Sequence, residues 1–382
     1  KEKLVVIGNG MSGLRTIEDL LEIDKNRYEI TIYGEEPHVN YNRIMLSYIL
    51  SQEKTFEDTI INHQSWYEQN NITLHKGDKV VSINKEDKTI KSESGKTESY
   101  DKLLIATGST AFIPKTKGSD LENVIAFRTK ADVDAIISTI RKDKTAVVVG
   151  SGLLGLEAAY GIAKHGIKTI LVHRSGSILS QQLDSTGGRL LQKNLEKYGI
   201  EFKLNTTIKE ISGDGIVEKV EFTDGVCVES NLVVFATGII PNTTLALNAS
   251  LNCNKGIVVD DFLKTSDDSI FAIGECVEHN GNTYGLVAPL YEQAKVLAKV
   301  LAGKSTDGYS GSTLSTRLKI SGIDLFSAGD YLGDETTEDL ILLDDNFSTI
   351  VDTVKDGRRI YDNIRKAVGY VFTIHIPIAF AS

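Results

Sequence analysis

Cysteine is scarce in this chain of 382 residues, where only Cys227, Cys253 and Cys276 occur, far apart. That number and scatter exclude a disulfide framework and a cysteine-built metal cluster. No Cys-x-x-Cys pair exists, which removes a dithiol relay from the available chemistry. Each cysteine is read instead as a small buried hydrophobe in a reduced compartment. Positive charge is also short, the formal net charge being -10. A nucleic-acid partner, which calls for a basic face, is not expected. No apolar signal region precedes the first strand, because the chain opens on Lys1-Glu2-Lys3. A cytoplasmic location is the expectation.

What is present is an ordinary globular composition, 41% hydrophobic and 25% charged, with length for two or three domains. The apolar run 146–149 leads into Gly150-Ser151-Gly152-Leu153-Leu154-Gly155-Leu156-Glu157. A buried strand, then G-x-G-x-x-G, then an apolar-periodic helix is the context in which this motif binds a dinucleotide. The glycines allow a tight turn and close backbone approach, and the helix N-terminus offers free N–H groups to a pyrophosphate. Residues 4–7 lead in the same way into Gly8-Asn9-Gly10-Met11-Ser12-Gly13. Two such sites in one chain point to electrons passing from one cofactor to another.

The repetition extends further. Strands at 100–106 and 232–236 both end in Ala-Thr-Gly, at Ala106-Thr107-Gly108 and Ala236-Thr237-Gly238. Each half runs strand, fingerprint, helix, strand, small strands, then the Ala-Thr-Gly strand. Short antiparallel strands are expected at 72–75, 79–83 and 89–92. In the first half, Glu35 and Glu36 follow the second strand, where a carboxylate accepts both hydroxyls of a ribose; a solvated acidic turn is the alternative. In the second half that strand ends in His173 and Arg174, so a donor carrying a 2'-phosphate is allowed. Arg43 suits either a cofactor phosphate or a surface carboxylate. A strand at 269–273 enters Gly274-Glu275, and Ala288-Pro289-Leu290 opens a helix with Pro289 at its first position. The N-terminus of that helix would stabilise negative charge on a reduced flavin, and Glu275 suits a ribityl hydroxyl.

Both fingerprints, both Ala-Thr-Gly endings and Thr265-Ser266-Asp267-Asp268-Ser269-Ile270-Phe271-Ala272-Ile273-Gly274-Glu275 together resemble the FAD- and NAD(P)-dependent pyridine nucleotide oxidoreductases. Asn40-Tyr41-Asn42-Arg43-Ile44-Met45-Leu46 and Gly285-Leu286-Val287-Ala288-Pro289-Leu290 narrow the resemblance. It is nearest to the flavin-binding region of assimilatory NAD(P)H nitrite reductase large subunits and to rubredoxin reductases, over residues 3–337.

The resemblance implies an α/β chain of two Rossmann-like doubly wound modules, the second inserted in the first. Residues 1–112 and 239–310 would hold FAD, 113–238 NAD(P)H, and 311–338 a truncated interface domain. It makes Gly8, Gly10, Gly13, Glu35, Arg43, Thr107, Gly108, Gly274 and Glu275 flavin-site residues, with Val80 against the adenine. Gly150, Gly152, Gly155 and Gly238 would serve the NAD(P)H site. Glu157 would place the nicotinamide beside the flavin, the alternative being a buried helix carboxylate paired with a neighbour.

The implied function is hydride transfer from NAD(P)H to FAD, then electron transfer to a small redox protein or domain. Rubredoxin, ferredoxin or a siroheme/iron-sulfur module would suit as acceptor. With no cluster of cysteines to ligate siroheme or iron-sulfur centres, this chain would be the electron-input unit. A non-catalytic dinucleotide sensor and a membrane-attached fusion fragment are the alternatives.

From about residue 340 the sequence resembles P-type cation-transporting ATPases near a membrane helix. Residues 339–382 are therefore expected to form a helical tail, joined near 338–342 as in a chimera. Its weakly charged end, 367–382, is shorter than the roughly 20 residues needed to span a bilayer.

Overall fold

The computed structural model describes residues 1–312, 315–323, 325–328 and the strand at 341–342. Its frame is a pair of five-stranded parallel sheets. The first contains β1 (Glu2–Ile7), β2 (Tyr28–Gly34), β3 (Ile72–Lys76), β7 (Lys102–Ile105) and β19 (Ile270–Ala272), in the order β19-β7-β1-β2-β3. Its central strands are apolar runs buried on both faces, as parallel strands between helical layers must be. On it, α1 (Met11–Ile23) packs beside α8 (Val287–Leu301). Leu14, Ile17 and Leu20 of α1 share one core with Leu290, Ala294, Leu297 and Leu301 of α8.

The second sheet repeats the plan with β9 (Val124–Ala126), β10 (Thr145–Val149), β11 (Lys168–His173), β12 (Ile200–Leu204) and β16 (Leu232–Phe235), in the order β12-β11-β10-β16-β9. Its central helix, α5 (Leu153–Ala163), is buried at every position from Gly155 on. A helix apolar on all sides belongs inside the protein, and this one packs against β10, β11 and α2 (Leu46–Leu50). At Gly161 an added Cβ would stand 2.8 Å from the Leu50 Cγ, so absence of a side chain is what lets the two helices approach.

The two halves are joined by a short antiparallel ribbon, β8 (Ser109–Ala111) against β17 (Ile239–Pro241). Each half carries a small antiparallel sheet. One is β4 (Val80–Asn84), β5 (Thr89–Ser92) and β6 (Thr97–Ser99); the other is β13 (Ile208–Ser212), β14 (Lys219–Phe222) and β15 (Cys227–Glu229). A parallel pair, β18 (Ile257–Val259) with β20 (Val277–His279), extends the first half. The remaining helices are α3 (Gln64–Gln69), α4 (Lys130–Thr139), α6 (Ser185–Glu196) and α7 (Thr244–Asn248). At the C-terminal side β21 (Ser315–Arg317), β22 (Phe326–Ala328) and β23 (Ile341–Leu342) pair antiparallel.

Several expectations change. Strand β3 is parallel to β2 and belongs to the main sheet, because the connection between them runs across the sheet through α2 and α3. Cys227 is exposed on β15 and Cys253 half-buried, which leaves Cys276 as the buried one. Pro289 occupies the third position of α8, still within the first turn, where its missing N–H breaks no helical bond. Residues 341–342 form a strand of the C-terminal sheet, inside the stretch expected to be helical; the rest of the tail, with its ATPase resemblance and membrane contact, lies outside the described residues. Among the described residues no helix is long and apolar enough to cross a membrane.

Candidate dinucleotide and flavin site

The two glycine turns have the same construction. Gly8 has φ +115° and its N–H donates to the Tyr33 carbonyl at 2.8 Å; Gly150 has φ +111° and donates to Val172 at 3.0 Å. A Cβ on Gly8 would lie 2.2 Å from the Ala106 carbonyl oxygen, and one on Gly150 would lie 2.4 Å from that of Ala236. Each Ala-Thr-Gly strand end thus serves as the wall against which its fingerprint turns, since any side chain would collide with backbone there. The third glycines are equally confined: a Cβ on Gly13 would meet the Ala106 side chain at 2.9 Å, and one on Gly155 the Gly150 carbonyl at 2.0 Å.

The middle glycines, Gly10 and Gly152, differ. They cap α1 and α5, and a Cβ at either would meet nothing within 4 Å. Neither helix has an acidic residue in its first turn, so the positive end of its dipole is not neutralised there. This is a cradle open on one side that a side chain would fill, and it fits a pyrophosphate in each module.

The sugar-proximal residues are placed unevenly. Glu35 follows β2 with its side chain largely exposed and paired to Lys79 at 2.8 Å. Glu36 pairs with Arg43, whose Nη1 also reaches the Arg128 carbonyl at 3.4 Å. Val80 is buried in the first core at the start of β4. Burial, then the charge of Arg174, holds His173 below its ordinary pKa at the end of β11.

At the ribbon, Thr107 Oγ1 donates to the Asn242 carbonyl at 3.2 Å, and Asn242 Nδ2 returns a bond to the Thr107 carbonyl at 2.8 Å. Gly108 and Gly238 adopt φ +61° and +121°, and Phe112 N–H donates to the Gly238 carbonyl at 2.9 Å. Gly274, at φ +93°, lies where a Cβ would come within 2.5 Å of Ser12 Oγ on α1. Next to it Glu275 accepts from Ser109 Oγ at 2.6 Å and is ion-paired with Arg128.

Arg128, absent from the expected set, is fixed by the start of α4. Thr129 and Asp132 form a reciprocal capping box there, and the Arg128 N–H also donates to Asp132 at 3.0 Å. Arg43, Ser47, Phe127, Arg128, Leu154 and Glu157 line one cavity of about 40 Å³ between the two halves. Two guanidiniums and one carboxylate therefore converge where the fingerprints' modules meet. The Ser47 side chain there is buried beside Glu157.

Glu157 is 2% exposed on α5. Its Oε1 accepts from the backbone N–H of Lys319 at 3.0 Å, with the Lys319 ammonium 3.9 Å away. Burial pushes the carboxyl up to about 7, against the pull of the Lys319 charge, the Lys319 N–H and the neighbouring Ser47 hydroxyl. Lys319 was missed for a simple reason: it is 162 residues from its partner, and no motif surrounds it.

Twin glycine turns, each backed by an Ala-Thr-Gly strand end and followed by a helix N-terminus, mark a two-dinucleotide oxidoreductase, and the chain belongs to the pyridine nucleotide-disulphide oxidoreductase family, which it matches over residues 2–296. It is an NAD(P)H-dependent flavoprotein oxidoreductase of that family. Among curated relatives it is similar to the nitrite reductase (NAD(P)H) of Bacillus subtilis (strain 168), 45% identical over 94% of this chain and 45% of that one. It is similar too to the assimilatory nitrate reductase electron transfer subunit of the same organism, 43% identical over 90% of this chain and 45% of the relative. The chain thus spans about half the length of these relatives.

Among solved structures, NADH:rubredoxin oxidoreductase from Clostridium acetobutylicum is 27% identical with a TM-score of 0.73, over 88% of this chain and 84% of that one. Putidaredoxin reductase, in its covalent complex with putidaredoxin, shares the fold at a TM-score of 0.81 and 24% identity, over 87% of this chain and 82% of that one.

Proposed function

We propose that this chain is an electron-input unit that takes a hydride from NAD(P)H onto FAD and forwards the electrons to a redox partner. The observation that carries the reading is the pair of matching glycine cradles, one in each half, with Arg43, Arg128 and Glu157 lining a cavity between the halves. Bound NAD(P)H supplies the hydride and bound FAD accepts it. The protein's contribution is orientation and electrostatics.

In this reading residues 1–112 and 239–310 hold FAD and residues 113–238 hold NAD(P)H. Gly8, Gly10 and Gly13 with the N-terminus of α1 take the flavin pyrophosphate, and Arg43 and Arg128 balance its charge. Glu275, Ser109, Thr107 and Gly108 hold the ribityl chain, with Gly274 letting that turn approach α1. Glu35 and Val80 face the adenosine. Gly150, Gly152, Gly155 and Gly238 shape the donor site, and Glu157 accepts the nicotinamide carboxamide. No acid occupies the first turn of α8, so its N-terminus is free to stabilise a reduced, anionic ring.

The acceptor we favour is a nitrite-reducing siroheme/iron-sulfur module, on the strength of the curated relatives' names and the shared length. A cytoplasmic setting suits a donor that is NAD(P)H. Anaerobic titration of the purified chain with NADH and NADPH, recording the flavin spectrum, tests the reading. Stoichiometric bleaching followed by reoxidation with an added acceptor is expected. Protein that neither carries nor takes up flavin, or whose flavin ignores both donors, would overturn it.

A further inference from the structure

We propose that Lys319 is a positioning residue for the nicotinamide end of the donor site, holding the Glu157 carboxyl, by a backbone hydrogen bond and its ammonium, at the cavity Glu157 shares with Arg43 and Arg128. The donor site is then completed by a turn that follows α8, outside both dinucleotide modules. This rests on the reading of Glu157 given under Proposed function and adds the group that sets its charge state and orientation.

Glu157 is carried into the interior because α5 is apolar on every other side, and a carboxylate so placed needs a charged or strongly donating partner. Its own helix offers none, since Leu153, Leu154, Ala158 and Gly161 carry no side-chain donor and the Tyr160 hydroxyl donates to Glu53. Lys319 supplies two favourable groups at once, a backbone donor at 3.0 Å and an ammonium at 3.9 Å. The other polar and charged groups facing Glu157 are Ser47 of α2 and, around the cavity, Arg43 before α2 and Arg128 before α4. Both guanidiniums are already engaged by carboxylates, Arg43 by Glu36 and Arg128 by Glu275. Lys319 is therefore the one cation of this group whose carboxylate partner is Glu157.

The placement of Lys319 is built. Leu318 and Ile320 on either side of it are 2% and 3% exposed and join the core formed by α2 and α5. Leu318 N–H donates to the Leu325 carbonyl at 3.1 Å, closing the turn. Tyr198 of the second half donates to the Ser321 carbonyl at 3.2 Å, while Ser321 bonds to Glu53 of the first half. Glu53 in turn accepts from Tyr160 of α5 at 3.1 Å. The turn is thus tied to both halves, and Lys319 reaches Glu157 only while they are docked.

The test uses the full chain as purified, with Lys319→Met, Lys319→Arg and Glu157→Gln. The protonated-carboxyl infrared band of Glu157, identified by its loss in Glu157→Gln, is followed against pH, and affinities for NAD+ and ADP-ribose are measured by calorimetry. Lys319→Met is expected to raise the proton affinity of Glu157 about tenfold, the low end of what a nearby opposite charge contributes. The same variant is expected to lose preference for NAD+ over ADP-ribose at neutral pH, because only NAD+ carries the nicotinamide, and Lys319→Arg is expected to restore both. A titration unchanged in Lys319→Met overturns the proposal, as does a shifted titration with an unchanged NAD+ preference. Wild-type chain that binds neither ligand overturns the donor-site reading and the proposal with it; that failure is distinct, because the others leave both ligands bound.

Discussion

Replacing Gly152 by alanine separates binding from folding, because the structure assigns this glycine no steric duty of its own. Its φ is -73°, which alanine adopts freely, and an added Cβ meets nothing within 4 Å. The folded state therefore accommodates the methyl. Lower freedom of the unfolded chain stabilises by about 0.4–1 kcal/mol. Alanine is a poorer N-cap than glycine by several tenths of a kcal/mol or somewhat more, which offsets most of that gain. Stability in denaturant is expected to stay within about 0.5 kcal/mol of wild type.

Binding should respond differently, since the open side of the cradle is where a pyrophosphate approaches. A methyl forced into a closely packed contact costs about 1–3 kcal/mol. That corresponds to a loss of roughly tenfold to hundredfold in affinity. Calorimetric titration with NAD+, alongside urea unfolding of the ligand-free chain, reads the two effects independently. Gly155→Ala is the control with the opposite signature: its Cβ would stand 2.0 Å from the Gly150 carbonyl, so the fold itself should suffer. Wild-type affinity for NAD+ in Gly152→Ala would refute the assignment of the second cradle, whatever its stability.

In the first module, Gly10→Ala should lower the flavin content of purified protein without changing NAD+ affinity, as read from flavin absorbance per protein and calorimetry. Arg128→Met should also reduce flavin retention, and should weaken the fold by about 1–3 kcal/mol because Glu275 loses its guanidinium partner. Glu157 predicts a pH dependence. Its folded pKa, about 7, is above its ordinary 4.5, so the folded state holds the proton more tightly and stability falls as pH rises from 4.5 through 7. Glu157→Gln should remove a decline of about 3 kcal/mol across that window, measured by urea unfolding at several pH values. Arg174→Asp should reduce kcat/KM for NADPH relative to NADH by about tenfold, the loss of one charge-assisted contact to a 2'-phosphate; unchanged selectivity would remove Arg174 from the donor site.

The parts of this protein readable in its sequence are those whose physics is local. A buried strand followed by a glycine turn and an apolar helix must be contiguous, so β1 with Gly8 and β10 with Gly150 declare themselves. The Ala-Thr-Gly ends were legible as a repeat, although their role as walls for the fingerprint turns needed the fold. Strand direction was not local: the alternation of Ile72 and Leu74 is the same in either sense, and only the crossover through α2 and α3 makes β3 parallel. Arg128 and Lys319 were invisible because their partners lie 147 and 162 residues away. Pattern gives no hint of such pairs.

The ribbon of β8 and β17 has a consequence for how such a chain could arise and be taken apart. Ser109 lies opposite Pro241 and Ala111 opposite Ile239, so the chain leaves the first half and returns to it at neighbouring points. Cross-strand neighbours are only about 5 Å apart. The intervening segment is therefore a cassette with adjoining ends, and a short turn joining them would close the host without stretching it. An ancestral single-cofactor fold could have accepted the donor module by one such insertion, and an engineered exchange of donor modules would have its natural splice points here.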